Sequence, residues 1–148
     1  MKSMRSTPAW MVCILLAALA LVTVGASAPP YGRPFTGYFA ISDVQHQGDV
    51  VQLKLRVKLF NQTSQDINGA IVTLMDPPPT MMLRGNFPQS KLWKRGQFIA
   101  MSQEFAISEQ AYKEWTSTGA PSLFVLFQDA DGKSWQITPQ ISRSPLAN

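Results

Sequence analysis

Covalent catalysis needs a nucleophile held beside a base, and this chain of 148 residues offers few candidates. Its one histidine, His46, lies in the polar stretch Gln45-His46-Gln47-Gly48, and its one cysteine, Cys13, lies within an apolar N-terminal run. A histidine in such a stretch is typical of a solvated turn. The sequence contains no nucleophile elbow, phosphate-binding loop, dinucleotide fingerprint or zinc-protease motif. It therefore predicts a protein that is not an enzyme and that uses no cofactor.

Carboxylates are the remaining catalytic resource, because a pair of them can cleave a glycosidic bond. Most of the 9 acidic residues fall in predicted turns or in a short helix, where solvation and helix capping explain them. A hydrolase is therefore the remote alternative. Asp129-x-Asp131-Gly132 resembles the start of a calcium loop, but the glutamate that completes such a loop is missing. A hairpin turn explains this stretch better, and we predict no metal site.

Two basic clusters could together bind an acidic glycan, a lipid head group or an acidic protein. The first cluster consists of Lys54, Arg56 and Lys58, which alternate along one predicted strand and so share one face. The second consists of Lys91, Lys94 and Arg95. The alternative, which the sequence favours, is that cations on an exposed strand face keep the sheet soluble and discourage edge pairing.

Aromatic residues could form a platform on which a sugar ring stacks. The candidate residues are Trp93, Tyr112 and Trp115. Each also has a possible role in a hydrophobic core, since Tyr112 and Trp115 are three residues apart on a predicted helix and can cover one end of the core together. The sequence favours the core role.

Strands must position these side chains. The clearest strand is Val50–Phe60, where Leu53, Leu55, Val57 and Leu59 alternate with polar residues. The other predicted strands are Phe39–Val44, Ala70–Met75, one or two within 81–96, Gln97–Ile107 with a candidate bulge near Ser102, Leu123–Phe127 buried on both faces, and Lys133–Ile141 with Pro139 at an edge or bulge. Predicted turns cover 45–49 and 61–68.

One helix is predicted near residues 108–116, because Ser108 is a favoured N-cap and Glu109 suits a first helical turn. Several short strands with turn signals between them, and no repeated helical pattern, predict an all-β fold. We expect an immunoglobulin-like β-sandwich of about seven strands.

The stretch from Val51 to Ala70 passes from a strand through an asparagine and small polar residues to Gly-Ala and a second strand. It resembles bacterial immunoglobulin-like and fibronectin type III-like domains, the cell-adhesion-type modules of exported proteins. Phe124–Trp135 resembles their last hairpin more weakly. The chain departs from antibody-type domains because it has no inter-sheet cysteine pair. The resemblance implies an interaction or structural module and assigns no role to any residue.

The N-terminus has the order of a secretory signal peptide: Lys2 and Arg5, then the apolar run Trp10–Ala26, then small residues. We predict a signal peptide at 1–26, with cleavage after 28 as the alternative, a flexible lead-in at 27–36, a β-sandwich at 37–142 and a frayed tail at 143–148. The rival interpretation is an uncleaved N-terminal anchor, and only then would the protein contact a membrane.

Charge and cysteine usage place the chain in a compartment. The 13 basic and 9 acidic residues give +4, and without Lys2 and Arg5 the balance is 11 − 9 = +2, too little to indicate nucleic-acid binding. Export without a disulfide indicates a bacterial periplasm or exterior. The sequence predicts a non-enzymatic exported interaction or structural module with a protein partner in the envelope or outside the cell. The alternative is a carbohydrate- or anionic-ligand-binding module.

Overall fold

The computed structural model describes residues 34–77 and 79–144. The predicted signal peptide at 1–26, its alternative cleavage point, residues 27–33 of the predicted lead-in and residues 145–148 of the predicted tail lie outside the described residues. Among the described residues, no helix is both long enough and apolar enough to span a membrane.

The described residues form an all-β sandwich with one short helix, as the strand alternation and the Ser108 cap predict. Ten strands are present in the described part of the chain, more than the predicted seven or so, because several are only two to four residues long. The elements are β1 Phe35–Gln47, β2 Val50–Asn61, β3 Ile67–Asn68, β4 Ile71–Met75, β5 Leu83–Asn86, β6 Leu92–Trp93, β7 Phe98–Ser108, α1 Glu109–Ser117, β8 Ser122–Gln128, β9 Ser134–Ile137 and β10 Gln140–Arg143.

Two four-stranded sheets form the layers of the sandwich. The first sheet has the order β10-β1-β2-β7, the second has the order β5-β4-β8-β9, and β3 and β6 form a small separate ribbon. All pairings are antiparallel except that of β1 with β10. The inward residues of β2 are all buried, as the alternation predicts, and they belong to the same core cluster as the inward residues Val72, Leu74, Leu123 and Val125 of the second sheet.

Aromatic rings fill one end of the core. Phe35 stacks on Trp93 with ring centres 4.9 Å apart and meets Phe127 edge to face at 5.6 Å. Phe35 is fully buried and begins β1, so the first sheet starts inside the segment that the sequence assigns to the lead-in. Burying a phenylalanine side chain contributes about 2 kcal/mol, which explains why the strand extends this far.

A buried asparagine organises the chain after β2. Asn61 is fully buried, and its side-chain amide donates to the carbonyl oxygens of Gln65 and Trp93, both at 3.1 Å. Its Oδ1 accepts hydrogen bonds from the backbone N–H and the hydroxyl of Thr63. The predicted turn at 61–68 is therefore an ordered loop joined to β6, and β3 occupies its end.

Two local predictions need correction. β7 pairs with β2 over its whole length without a register shift, so the bulge near Ser102 is wrong; the irregularity lies in β1, between Ser42 and Gln45. The predicted turn at 45–49 is shorter, because β1 runs to Gln47 and β2 starts at Val50. Gly48 has φ +62°, a value that favours glycine at a tight hairpin.

Two further predictions are wrong, one about the burial of β8 and one about the last strand. β8 is buried on one face only: Leu123, Val125 and Phe127 are buried, while the alternate residues Ser122, Phe124 and Leu126 are half-buried and Gln128 is exposed. The predicted strand Lys133–Ile141 is two strands, because β9 ends at Ile137 and pairs with β8, whereas β10 starts at Gln140 and pairs with β1. Pro139 has no backbone N–H for a ladder, and it lies where the chain passes from the second sheet to the first.

Helix α1 agrees with the prediction. The Ser108 hydroxyl accepts a hydrogen bond from the backbone N–H of Ala111 at 3.1 Å, and Glu109 occupies the first turn, where the helix dipole favours an acid. Trp115 is buried and joins the core cluster.

Candidate functional site

The outward face of the first sheet carries the first basic cluster. Arg56 and Lys58 are exposed on β2 and Lys54 is half-buried, all on the side opposite the buried leucines. The alternation in the sequence correctly placed these three side chains on one face. The sequence alone did not identify their neighbours on β1 and β7. These neighbours give Lys54 a different environment from that of Arg56 and Lys58.

Three of the four residues opposite Arg56 and Lys58 on the neighbouring strands have small side chains. On β1, Lys58 faces Tyr38 and Arg56 faces Ala40. On β7, the opposite residues are Ala100 and Ser102. These residues line a depression of about 610 Å³, which we call the outer groove. Because Ala40, Ala100 and Ser102 are small, the groove combines the positive charge of exposed Arg56 and Lys58 with an accessible floor.

Two aromatic rings stand at one end of this face. Tyr38 is 48% exposed and Phe98 is 49% exposed. The Phe98 ring packs on Phe60 with centres 4.7 Å apart, and the Lys58 ammonium lies 4.8 Å from its centre. Tyr38 also lines a second depression of about 650 Å³ that includes Phe60 and Phe98. An aromatic ridge thus borders the groove.

Lys54 has a different environment. It faces Glu104 on β7, and cross-strand partners of opposite charge attract each other. Asp43 and Glu104 both line a depression of about 250 Å³ with Lys54, so two carboxylates do share a concavity. Both are exposed, whereas a glycosidase acid is held protonated by desolvation. The closeness of the two carboxylates is thus the one observation here that favours a hydrolase.

The second basic cluster lies beyond the end of the sheet. Lys91, Lys94 and Arg95 are exposed around β6 and the turn that leads to β7. The Arg95 backbone N–H donates to Asp66 Oδ1 at 2.8 Å, and the next residue, Gly96, donates to the Asn61 carbonyl at 2.8 Å. The cluster therefore borders the end of β2, while Arg56 and Lys58 belong to the sheet face.

The predicted aromatic platform is not an exposed surface. Trp93 is 0% exposed and Trp115 is 5% exposed, so neither ring has a face open to a ligand. Tyr112 is half-buried and meets the His46 ring edge to face at 5.2 Å. Among the described tyrosine, tryptophan and phenylalanine side chains, the exposed ones are instead Tyr38 and Phe98. The signal that could have revealed Tyr38 is the alternation of buried Phe35 and Phe39 around it, which appears once β1 is extended toward Phe35.

His46 connects the hairpin of β1 and β2 to helix α1 through a side-chain contact with Glu109. It lies in β1 rather than in a turn, and its Nδ1 is 2.9 Å from Glu109 Oε2. Within residues 34–77 and 79–144, no hydroxyl or thiol hydrogen-bonds to His46. The pair has the base and the orienting carboxylate of a triad but not the nucleophile, and its observed contacts join β1 to the N-terminus of α1.

Asp129 holds the turn between β8 and β9. Its Oδ2 accepts a 2.7 Å hydrogen bond from the Trp135 indole, and its Oδ1 accepts from the backbone N–H groups of Asp131 and Lys133. The Trp135 hydrogen bond is the main reason that the pKa of Asp129 lies below its usual value. These contacts are those of a hairpin turn. In the described part of the chain, no three His, Cys, Asp or Glu side chains gather as metal ligands.

Comparison with known proteins gives few matches. No family model and no curated protein matches the sequence. Among solved structures, an inactive mutant of the GH20 exo-beta-N-acetylglucosaminidase from Vibrio harveyi is similar over 74% of this chain and 18% of that chain, with 10% identity and a TM-score of 0.48. The same enzyme in complex with N-acetylglucosamine is similar over the same shares, with 12% identity and a TM-score of 0.45. The chain thus spans less than a fifth of those proteins.

Proposed function

We propose that this protein is a non-enzymatic, exported interaction module that binds an anionic partner in the outer groove. The observation that carries the proposal is the position of Arg56 and Lys58 on an open sheet face, opposite Ala100 and Ser102 and beside exposed Tyr38. Export rests on the leader-like order of residues 1–26.

The groove has the properties of a binding surface. Its volume of about 610 Å³ falls within the range of ordinary ligand sites. Two like charges on adjacent positions of one strand face repel each other and raise the local positive potential, which attracts an anion. Tyr38 supplies an amphipathic surface of the kind enriched at interfaces.

The proposal includes kinship with immunoglobulin-like and fibronectin type III-like exported modules. The strand order supports it, because β1, β2 and β7 lie in one sheet while β4, β8 and β9 lie in the other, a Greek-key distribution. Such modules present faces and edges of a rigid sandwich to partners, and none of their roles requires a catalytic group.

A binding measurement tests the function. Polyglutamate and polygalacturonate would be titrated by calorimetry at low and high salt against the wild type, R56E/K58E and K91E/K94E. The last variant is a matched control, since it makes the same change in net charge in the second cluster. We expect at least a 10-fold loss for R56E/K58E, little change for K91E/K94E, and weaker binding in high salt.

The choice of polymer separates the partner classes. Preference for polyglutamate supports a protein partner, whereas preference for polygalacturonate with a further loss in Tyr38→Ala supports the carbohydrate-binding alternative. Equal losses in the two charge-reversal variants would mean that only net charge matters, and would contradict a site in the outer groove.

A further inference from the structure

The edge formed by β7 differs from the other sheet edges. β7 has 11 residues, whereas β5, β9 and β10 at the other edges have four each. Proteins discourage edge-to-edge pairing with short strands, prolines, bulges and lysines. β7 has no proline, lysine or arginine, and its pairing with β2 shows no shift. Among residues 34–77 and 79–144 no strand pairs with its outer side, so β7 is a long, regular and open edge of the described sheet.

The register identifies which backbone groups this edge offers. In an antiparallel ladder, the residues of one strand point their N–H and C=O groups alternately toward the partner and away from it. At one end of the ladder Asn61 N–H donates to the Gln97 oxygen at 3.1 Å, and at the other Glu109 N–H donates to the Asp49 oxygen at 3.0 Å. Gln97 and Glu109 are both odd-numbered, so the odd residues of β7 face β2.

The even-numbered residues of β7 therefore direct their backbone groups to the open edge. Ala100, Ser102 and Glu104 occupy its centre. Within the described ranges 34–77 and 79–144, none of the backbone hydrogen bonds outside the strand ladders uses these residues. A row of unused donors and acceptors in strand geometry matches one chemical class, an extended peptide backbone.

The charge beside this edge indicates which side chains such a peptide would carry. Arg56 and Lys58 lie one strand in, and the residues between them and the edge are Ser102 and Ala100. Neighbouring strands are about 4.8 Å apart, so an added strand would lie about 10 Å from β2. The long stems of arginine and lysine can cross the small β7 side chains and reach that strand.

We propose that an extended segment of a partner protein, with acidic side chains at alternate positions, adds to β7 as a fifth strand of the first sheet. Its backbone bonds to the outward N–H and C=O groups of Ala100, Ser102 and Glu104. Every second side chain projects onto the outer face, where acids at those positions meet Arg56 and Lys58. This inference rests on the proposed function and names its partner.

The test separates the backbone contribution from the charge contribution. The probe is a fluorescein-labelled eight-residue peptide that alternates threonine and glutamate, followed by anisotropy, with a threonine–lysine peptide as the control. Ser102→Pro removes an outward N–H at an edge, where proline is tolerated in a sheet. Ser102→Ala is its matched control, because it retains the N–H. Circular dichroism and thermal melts check that each variant is folded.

We expect the glutamate peptide to bind and the lysine peptide not to bind. Ser102→Pro and R56E/K58E should each weaken binding at least 10-fold, while Ser102→Ala should stay near the wild type. If Ser102→Pro binds as well as the wild type while R56E/K58E does not, strand addition is overturned. The proposal that the outer groove binds an anionic partner is then retained. If neither variant weakens anion binding, both the anion-binding proposal and the strand-addition proposal are overturned.

Amide protection supplies a second measurement that needs no variant. Hydrogen exchange in the wild type should slow on peptide binding at the amides of Ala100, Ser102 and Glu104. Protection elsewhere with none at β7 would overturn the proposal, as would light scattering that shows the free wild type to be a dimer and Ser102→Pro to be a monomer.

Discussion

The ammonium group of Lys58 lies 4.8 Å from the centre of the Phe98 ring, on the neighbouring strand. Phe98 is not opposite Lys58 but diagonal to it, because Ala100 takes the opposite position. The attraction of the aromatic ring for a cation holds the ammonium beside Phe98, next to the outer groove that Lys58 itself lines. The contact thus positions one of the two cations on which the proposed function depends.

This contact predicts a measurable coupling. The double-mutant cycle of Lys58→Gln and Phe98→Leu should give a coupling free energy of about 0.5–1 kcal/mol in chemical denaturation. A parallel cycle with Lys94→Gln and Phe98→Leu should give a value near zero, since Lys94 lies beyond the sheet end. Equal coupling in both cycles would show that the ring responds to net charge and not to Lys58.

Asn61 predicts a large stability loss. Asn61→Ala leaves two carbonyl oxygens and the Thr63 groups without their buried partner, so we expect unfolding free energy to fall by about 3 kcal/mol. The matched control is Gln62→Ala, an exposed neighbour whose change should cost no more than about 0.5 kcal/mol. Similar losses for both would contradict the organising role of the Asn61 side chain.

Gly37 is required by close approach of two strands. A Cβ at this position would lie 2.1 Å from the backbone oxygen of Lys58, so Gly37→Ala must push β1 away from β2 and should cost about 3 kcal/mol. The control is Gly48→Ala, where the side chain meets open space but φ is +62°. That change should cost only about 1 kcal/mol. Thermal and urea unfolding would rank the two, and a larger loss at Gly48 would contradict the argument.

Asp129 predicts a loss of stability in acid. Because its folded-state pKa is lowered, chiefly by the Trp135 hydrogen bond, the unfolded state takes up a proton first as the pH falls. Its contribution is complete above the unfolded value of about 3.9 and is lost as the pH falls through the folded-state pKa.

Melting temperatures measured between about pH 6 and pH 2 check this. The wild type should lose more stability than Asp129→Asn across the acid range, whereas Asp131→Asn, which makes the same charge change in the same turn, should follow the wild type. Identical pH profiles for the wild type and Asp129→Asn would show that the carboxylate contributes nothing.

Much of the fold could be predicted because its signals are local. The alternation of β2, the cap at Ser108 and the glycine in the turn after Asp129 each act within a few residues. They can therefore be recognised in the sequence alone. The same alternation correctly grouped Lys54, Arg56 and Lys58 on one face.

The rest depended on partners distant in the sequence. Whether Lys54 faces Glu104, whether Arg56 faces a small residue, and whether β7 ends its sheet are decided by a register between segments about fifty residues apart. Burial is decided in the same way: Trp93 is buried where β3 pairs with its strand and Phe35 stacks on its ring, which no local pattern encodes.

The sequence by itself therefore determined the periodicity, and with it the all-β class, helix α1 and which face of β2 is buried. Only the tertiary structure decided which side chains are accessible together. Accessibility depends on what the chain packs against each face and edge, and those contacts arise only when the strands pair and the two sheets pack.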